Sequence, residues 1–331
     1  MIFQNIEIHG CSELELLQNG AYATLRVPKA VEEHLSPMGQ SQNKNCTGIE
    51  FRFVLKGEEA TLHFGFEDDE SGEITVFYGD FVADWPETTK RVKGECEVKI
   101  VRNQNLERLR AIAKEYGHRF SPDVVRLVFC GVRPKLIEVK GEIELPAEEI
   151  CPKCKYLAYG SSITHGSNAL HPYYDYAERV AADLGADLTN FGFAGSALLQ
   201  REMADFFAEK CEFDFATLEM GINILKIEPQ DYEGRVRYFV DRVARAHPKA
   251  KIFAIDVYYC ESDLVGDGKA ECFRGILKRV VEELDLPNVV YVNGKAVLSS
   301  PAKLSAGLVH PNPDGMLEMA EKLSKIMRKH L

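Results

Sequence analysis

From the first residues to about position 145 the chain alternates between apolar and polar positions. Ile49, Phe51, Phe53 and Leu55 are interleaved with Glu50, Arg52 and Val54, and Leu62, Phe64 and Phe66 with Thr61, His63 and Gly65. Ile74, Val76 and Tyr78 repeat the rhythm, as do runs at 21–27, 96–101, 124–130 and 136–139. A period of two with one apolar face is the pattern of half-buried antiparallel strands. Many such short strands between turn residues predict a β-sandwich or jelly roll. One helix interrupts them, because Leu106, Leu109, Ile112 and Tyr116 recur at helical spacing and Gly117 can act as the C-cap.

Near residue 155 the pattern changes to short apolar runs, each followed by a longer amphipathic segment. Strands are predicted at 155–159, 187–191, 213–220, 251–257 and 289–293, and helices at 173–185, 198–210, 231–247, 269–285 and 314–330. Alternating strand and helix over this length predicts a parallel sheet covered by helices on both faces. Met316, Ala320, Leu323 and Met327 make one stripe on the last helix, which reads as core packing. The joint is "ELPAEEICPKCK", with two prolines and a charge cluster, and it divides the chain into a β domain, 1–148, and an α/β domain, 149–331. Cys151 and Cys154 lie in this joint without a second Cys or His pair at zinc-site spacing, and they precede a strand instead of opening a helix, so they read as a linker turn.

Composition narrows the partners. A formal net charge of -11 and a pI of about 5.4 argue against nucleic acid or an anionic membrane surface. No apolar run approaches the ~18–20 residues that span a bilayer, and no charged start leads into an apolar signal region. Nine cysteines, an odd number scattered along the chain, fit reduced thiols. These features lead to the expectation of a cytoplasmic protein, with a homo-oligomer left open.

In an open parallel sheet the functional site lies beyond the carboxyl ends of the strands. Four blocks stand at such places: Gly160-Ser161-Ser162-Ile163-Thr164-His165-Gly166 after the first strand, Asn190-Phe191-Gly192-Phe193-Ala194-Gly195-Ser196 after the second, Gly221-Ile222-Asn223 after the third, and Val309-His310-Pro311-Asn312 before the last helix. Taken singly, a Gly-Ser-Ser turn is a helix N-cap, an Asn after a strand is a turn residue and a His before Pro lies on the surface. Four in this order, over residues ~155–331, form a joint pattern that resembles the SGNH, or GDSL-type, hydrolase family. The resemblance implies a flavodoxin-like α/β/α fold, with Ser162 as nucleophile, His310 as its base, and an oxyanion hole from the Ser162 and Gly195 backbone N–H groups and the Asn223 side chain.

The chemistry asks for these residue types independently. A serine hydroxyl is a poor nucleophile until a base takes its proton, and neutral His suits that task near pH 7. Acyl transfer also generates an oxyanion that needs donors already in place. His165 is expected at the substrate rim. No metal or organic cofactor is called for.

One departure matters. The family usually carries Asp three residues before its histidine, and this chain has Gly307 there. The imidazole tautomer must then be fixed by a backbone carbonyl, giving a Ser-His dyad of a kind that the resemblance to family-two carbohydrate esterases includes. Otherwise Asp256, Asp263 or Asp267 must approach from elsewhere, or activity is reduced or lost. The expected function is an esterase that removes a small acyl group, acetyl first, from a hydroxylated substrate such as a glycan. The alternatives are a longer-chain lipase or thioesterase, and a non-catalytic carbohydrate-binding protein.

Overall fold

A computed structural model describes all residues, 1–331. It resolves into two compact units, one of 1–29, 43–153 and 185–187, and the other of 30–42, 154–184 and 188–331. The main division lies near residue 153, and residues 30–42 cluster with the second unit although they precede most of the first in sequence.

The first unit is antiparallel β. Where a sandwich would hold two separately bonded sheets, its eleven strands form one hydrogen-bonded network. The reason is a single long strand, Glu50–Gly65, that changes partners along its length. Its residues 50–52 pair with both Ile6–His9 and Val124–Cys130, while 59–65 pair with Glu95–Val101 and 61–64 also with Lys135–Glu144. The two alternating runs at 49–55 and 62–66 are therefore one strand, since 56–59 contain no residue that forces a turn.

Phe51, Phe53 and Phe64 point inward as their alternation requires and are fully buried, with Phe51 and Phe129 meeting edge to face at 4.8 Å. The expected outward positions behave differently, because Glu50, Arg52 and Arg126 are buried too. Arg52 Nε donates to Glu50 Oε2 at 2.8 Å and Arg126 Nε to the same oxygen at 2.9 Å. Burial alone would raise the Glu50 pKa, but Arg126 and Arg52 outweigh it and hold the carboxyl well below its usual range. The helix Leu106–Tyr116 ends at Gly117 in the left-handed conformation, as its sequence predicts.

The second unit is built on a five-stranded sheet. Its strands are β1 (Cys154–Gly160), β2 (Ala186–Gly192), β3 (Phe215–Glu219), β4 (Lys251–Ile255) and β5 (Val289–Val292). They lie in the order β2-β1-β3-β4-β5, and β1, β3, β4 and β5 are parallel. The main helices are α1 (Tyr176–Leu184), α2 (Arg201–Lys210), α3 (Pro229–Ala246), α4 (Lys269–Leu284) and α5 (Pro313–Met327), all within about three residues of the sequence expectation.

Helices α2, α3 and α4 pack in series, while α1 packs with α5. Every residue of β3 is buried, which a central parallel strand covered on both faces requires. Between β1 and its helices Tyr159 stacks on Phe239 at 4.9 Å and meets Phe207 at 5.4 Å. Each such aromatic side chain contributes about 1.5–3 kcal/mol when removed from water. The stripe Met316, Ala320, Leu323 and Met327 is buried as expected. No helix of the chain is long and apolar enough to cross a membrane.

Candidate active site

The carboxyl end of β1 runs into one turn of helix, Ser162–His165. Ser161 is its N-cap: extended in backbone, it accepts the Ile163 N–H on its side-chain oxygen at 3.1 Å. That leaves Ser162 as the first helical residue and Ser161 as the structural neighbour. The turn is fixed from below by Glu219, the last residue of β3, which is buried. Its Oε2 accepts the Ser161 backbone N–H at 2.5 Å and the Thr164 hydroxyl at 3.1 Å, and Thr164 Oγ1 also meets the Tyr176 hydroxyl at 2.7 Å. Burial raises the Glu219 pKa, and these hydrogen bonds oppose it only in part.

The turn is closed from the side by β2. Asn190 Nδ2 donates to the Thr164 carbonyl at 2.9 Å, while Asn190 Oδ1 accepts the Gly192 N–H at 2.7 Å. Glycine is required at two points by close approach. A Cβ on Gly160 would collide with Thr164 and Glu219, and one on Gly192 with the backbone of His165.

His310 arrives on the loop before α5. Leu304 and Pro311 form an isolated bridge in that loop, the Ser305 N–H donates to the His310 carbonyl at 2.8 Å, and the Asn312 side chain caps α5 by accepting the Gly315 N–H at 2.8 Å. His310 Nε2 lies 2.7 Å from Ser162 Oγ. The imidazole is half-buried, and desolvation lowers its pKa below the ordinary histidine value. A neutral imidazole at this distance can take the hydroxyl proton.

The remaining donors converge on the same place. Asn223, on the 3-10 turn Ile222–Ile224 just after β3, accepts the Ala197 N–H on Oδ1 at 3.2 Å, which turns its Nδ2 free to donate. Gly195 is exposed, adopts φ +67°, and makes no backbone hydrogen bond through its N–H. Ser162, Gly195, Asn223 and His310 line one cavity of about 790 Å³. Met38, Ile222, Leu225, Val265 and Val309 give it apolar surface, and Lys226, Glu261, Asp267 and Lys269 give it charge.

The carboxylates expected as alternatives to the dyad are committed elsewhere. Asp256, fully buried just after β4, accepts the Tyr291 hydroxyl and the Gly294 N–H, each at 2.5 Å. Asp263 accepts both terminal nitrogens of Arg274 at 2.7 Å. Asp267 lines the cavity but takes the Ser262 hydroxyl and the Lys269 N–H. His310 Nδ1 has no hydrogen-bond partner in the protein, neither one of these carboxylates nor a backbone carbonyl. At position 307 a Cβ would meet nothing within 4 Å, so the place where an aspartate would stand is open.

His165 is not among the residues lining the cavity. Its Nδ1 lies 3.4 Å from the Gly192 carbonyl instead. Conversely, sequence reasoning missed Glu219 and Met38. Glu219 leaves a trace, a lone acid at the end of an apolar run, whereas Met38 leaves none.

Residues 158–317 match the model of the GDSL-like lipase/acylhydrolase family. No curated protein matches the chain in sequence. Among solved structures, the salicylyl-acyltransferase SsfX3 from a tetracycline biosynthetic pathway is 20% identical with a TM-score of 0.77, over 98% of this chain and 94% of that one. A family two carbohydrate esterase from Cellvibrio japonicus is 15% identical with a TM-score of 0.64, over 99% and 95%. One from Clostridium thermocellum, in complex with cellohexaose, is 12% identical with a TM-score of 0.64, over 98% of each. At these identities the structures speak for the fold, and the family match speaks for the chemistry. Residues 158–317 match a GDSL-like lipase/acylhydrolase domain, and with it the chain is an enzyme of the carboxylic ester hydrolase class.

Proposed function

We propose that the chain is a serine esterase in which Ser162 is the nucleophile and His310 its base, removing a small acyl group, acetyl first, from a hydroxylated substrate such as a glycan. Ser162 Oγ bonds to the acyl carbon while its proton passes to His310 Nε2. The resulting oxyanion accepts hydrogen bonds from the Ser162 and Gly195 N–H groups and from Asn223 Nδ2. His310 then returns the proton to the leaving alcohol oxygen as the C–O bond breaks. Water, deprotonated by the same nitrogen, releases the acid from the acyl-serine.

The observation that carries this reading is the 2.7 Å contact between Ser162 Oγ and His310 Nε2, made by residues far apart in the chain. The alcohol class is supported by fold likeness to carbohydrate esterases, one of them in complex with cellohexaose. The nine cysteines, all free thiols, fit a cytoplasmic setting. Hydrolysis of p-nitrophenyl acetate and release of acetate from acetylated oligosaccharides should be seen with the wild type and lost in Ser162→Ala. Equal rates from both proteins would refute the proposal.

A second reading concerns the acyl group. The cavity of about 790 Å³, walled partly by Met38, Ile222, Leu225, Val265 and Val309, has room for an acyl chain longer than acetyl. Comparing acetyl with octanoyl esters separates the two.

A further inference from the structure

Residues 30–42 precede most of the β unit in sequence yet cluster with the second unit. Within them Ser36 opens the short helix Pro37–Asn43, its hydroxyl accepting the Gly39 N–H at 3.2 Å, with Pro37 at the position where a missing N–H costs nothing. Leu35 is buried and anchors the segment. Met38, one residue into the helix, is left 53% exposed. Its exposed surface belongs to the cavity over Ser162, and its Cγ would lie 3.7 Å from a Cβ placed on Gly195.

The geometry of acyl transfer says which part of a substrate meets it. The leaving alcohol must lie within reach of His310 Nε2, which protonates it. The oxyanion must lie at the Gly195 N–H and Asn223 Nδ2. The acyl substituent takes the direction that remains. Met38 stands against Gly195, and Ile222 and Leu225 flank Asn223 in sequence, so the apolar wall adjoins the oxyanion donors. Three of the four charged side chains, Glu261, Asp267 and Lys269, come from another segment, which also carries Val265, while the fourth, Lys226, follows Leu225. An unbranched, polarizable methionine suits a wall that must fit a flexible chain.

We infer that Met38 is a specificity residue, the wall that an acyl chain longer than acetyl packs against, supplied to the active site by a segment from the N-terminal part of the chain. The inference rests on Ser162 being the nucleophile and sharpens the second reading of the acyl group. Met38→Gln keeps the length of the side chain and removes its apolar character, while Met38→Leu keeps the apolar character.

The first readout is the ratio of kcat/KM for p-nitrophenyl octanoate to that for p-nitrophenyl acetate. It should fall roughly five- to tenfold in Met38→Gln and stay within about twofold of wild type in Met38→Leu. The second readout needs no catalysis. In the Ser162→Ala background, calorimetric binding of octanoate should weaken several-fold on adding Met38→Gln and recover with Met38→Leu. Thermal melting of each variant checks that the fold is kept. An unchanged ester ratio with unchanged octanoate binding in Met38→Gln overturns the inference. Loss of octanoate affinity in a protein without esterase activity would uphold the wall and refute the esterase reading, so the two failures are distinguishable.

Discussion

Ser162 sits in a turn fixed from several directions, whereas His310 rides on a loop tied by backbone bonds and the Asn312 side chain, none of which holds the imidazole. Around the serine, Glu219 accepts the Ser161 N–H and the Thr164 hydroxyl, Asn190 donates to the Thr164 carbonyl, and Gly160 and Gly192 let three strands close on the turn without room for a Cβ. The imidazole itself makes one hydrogen bond, the one to Ser162. Leu308, two residues earlier, holds φ +55°, a left-handed conformation unusual for a leucine, and Gly307 faces open space. In the proposed roles, the nucleophile is preorganised and the base is the loosely held partner. We propose that the tautomer and orientation of this imidazole limit catalysis.

Substitutions at three positions and one pH profile probe that asymmetry, in falling order of effect. His310→Ala removes the base altogether and should lower kcat/KM by roughly 10⁴-fold or more with melting temperature unchanged, because the loop owes little to the side chain. Glu219→Ala attacks the rigid half. It leaves the buried Ser161 N–H and Thr164 hydroxyl without their acceptor and opens a void, so chemical denaturation should show a loss of about 2–4 kcal/mol. Glu219→Gln, which keeps an acceptor in place, should lose about 1 kcal/mol or less. If Glu219→Ala were as stable as wild type, the serine turn would not be held as described.

Gly307→Asp works on the loose half in the opposite direction. The position is unobstructed, so a carboxylate there can reach toward Nδ1 and fix the tautomer, and kcat should rise about tenfold. The smallest effect is on pH. A histidine must be neutral to act as base, and desolvation lowers the His310 pKa. The acid limb of kcat/KM should therefore lie below the ordinary histidine value of about 6.5, and activity should persist to lower pH than an exposed histidine would allow. A carboxylate beside the ring favours imidazolium, so in Gly307→Asp the limb should move upward. A limb that stays put in that variant would mean the new carboxylate never meets the ring.

The same contrast explains what the sequence discloses. Ser162, Gly195, Asn223 and His310 are legible because each stands at a strand end or beside a helix cap, and hydrophobic periodicity locates those points well. The missing carboxylate is legible too, as Gly307. What periodicity cannot see is which polar residue inside an element is buried with a partner. Glu219 looks like the polar end of an apolar run, and Glu50, Arg52 and Arg126 look like outward positions, yet all four are buried because each meets a donor or counter-charge from a distant strand. Nor can it see that residues 30–42 leave the β unit to wall the cavity, since the packing that decides this lies far along the chain. Asp256, Asp263 and Asp267 were reasonable by position, but Tyr291, Arg274 and Ser262 claim them, and no local pattern announces those partners.

The central claim, that His310 activates Ser162, is tested most directly by the rate at which a fluorophosphonate labels the protein, followed by mass spectrometry of the labelled peptide. One adduct should form, on Ser162 and not Ser161, at a rate that falls as His310 is protonated and that collapses in His310→Ala. An adduct elsewhere, no adduct, or an unchanged rate in His310→Ala would contradict it.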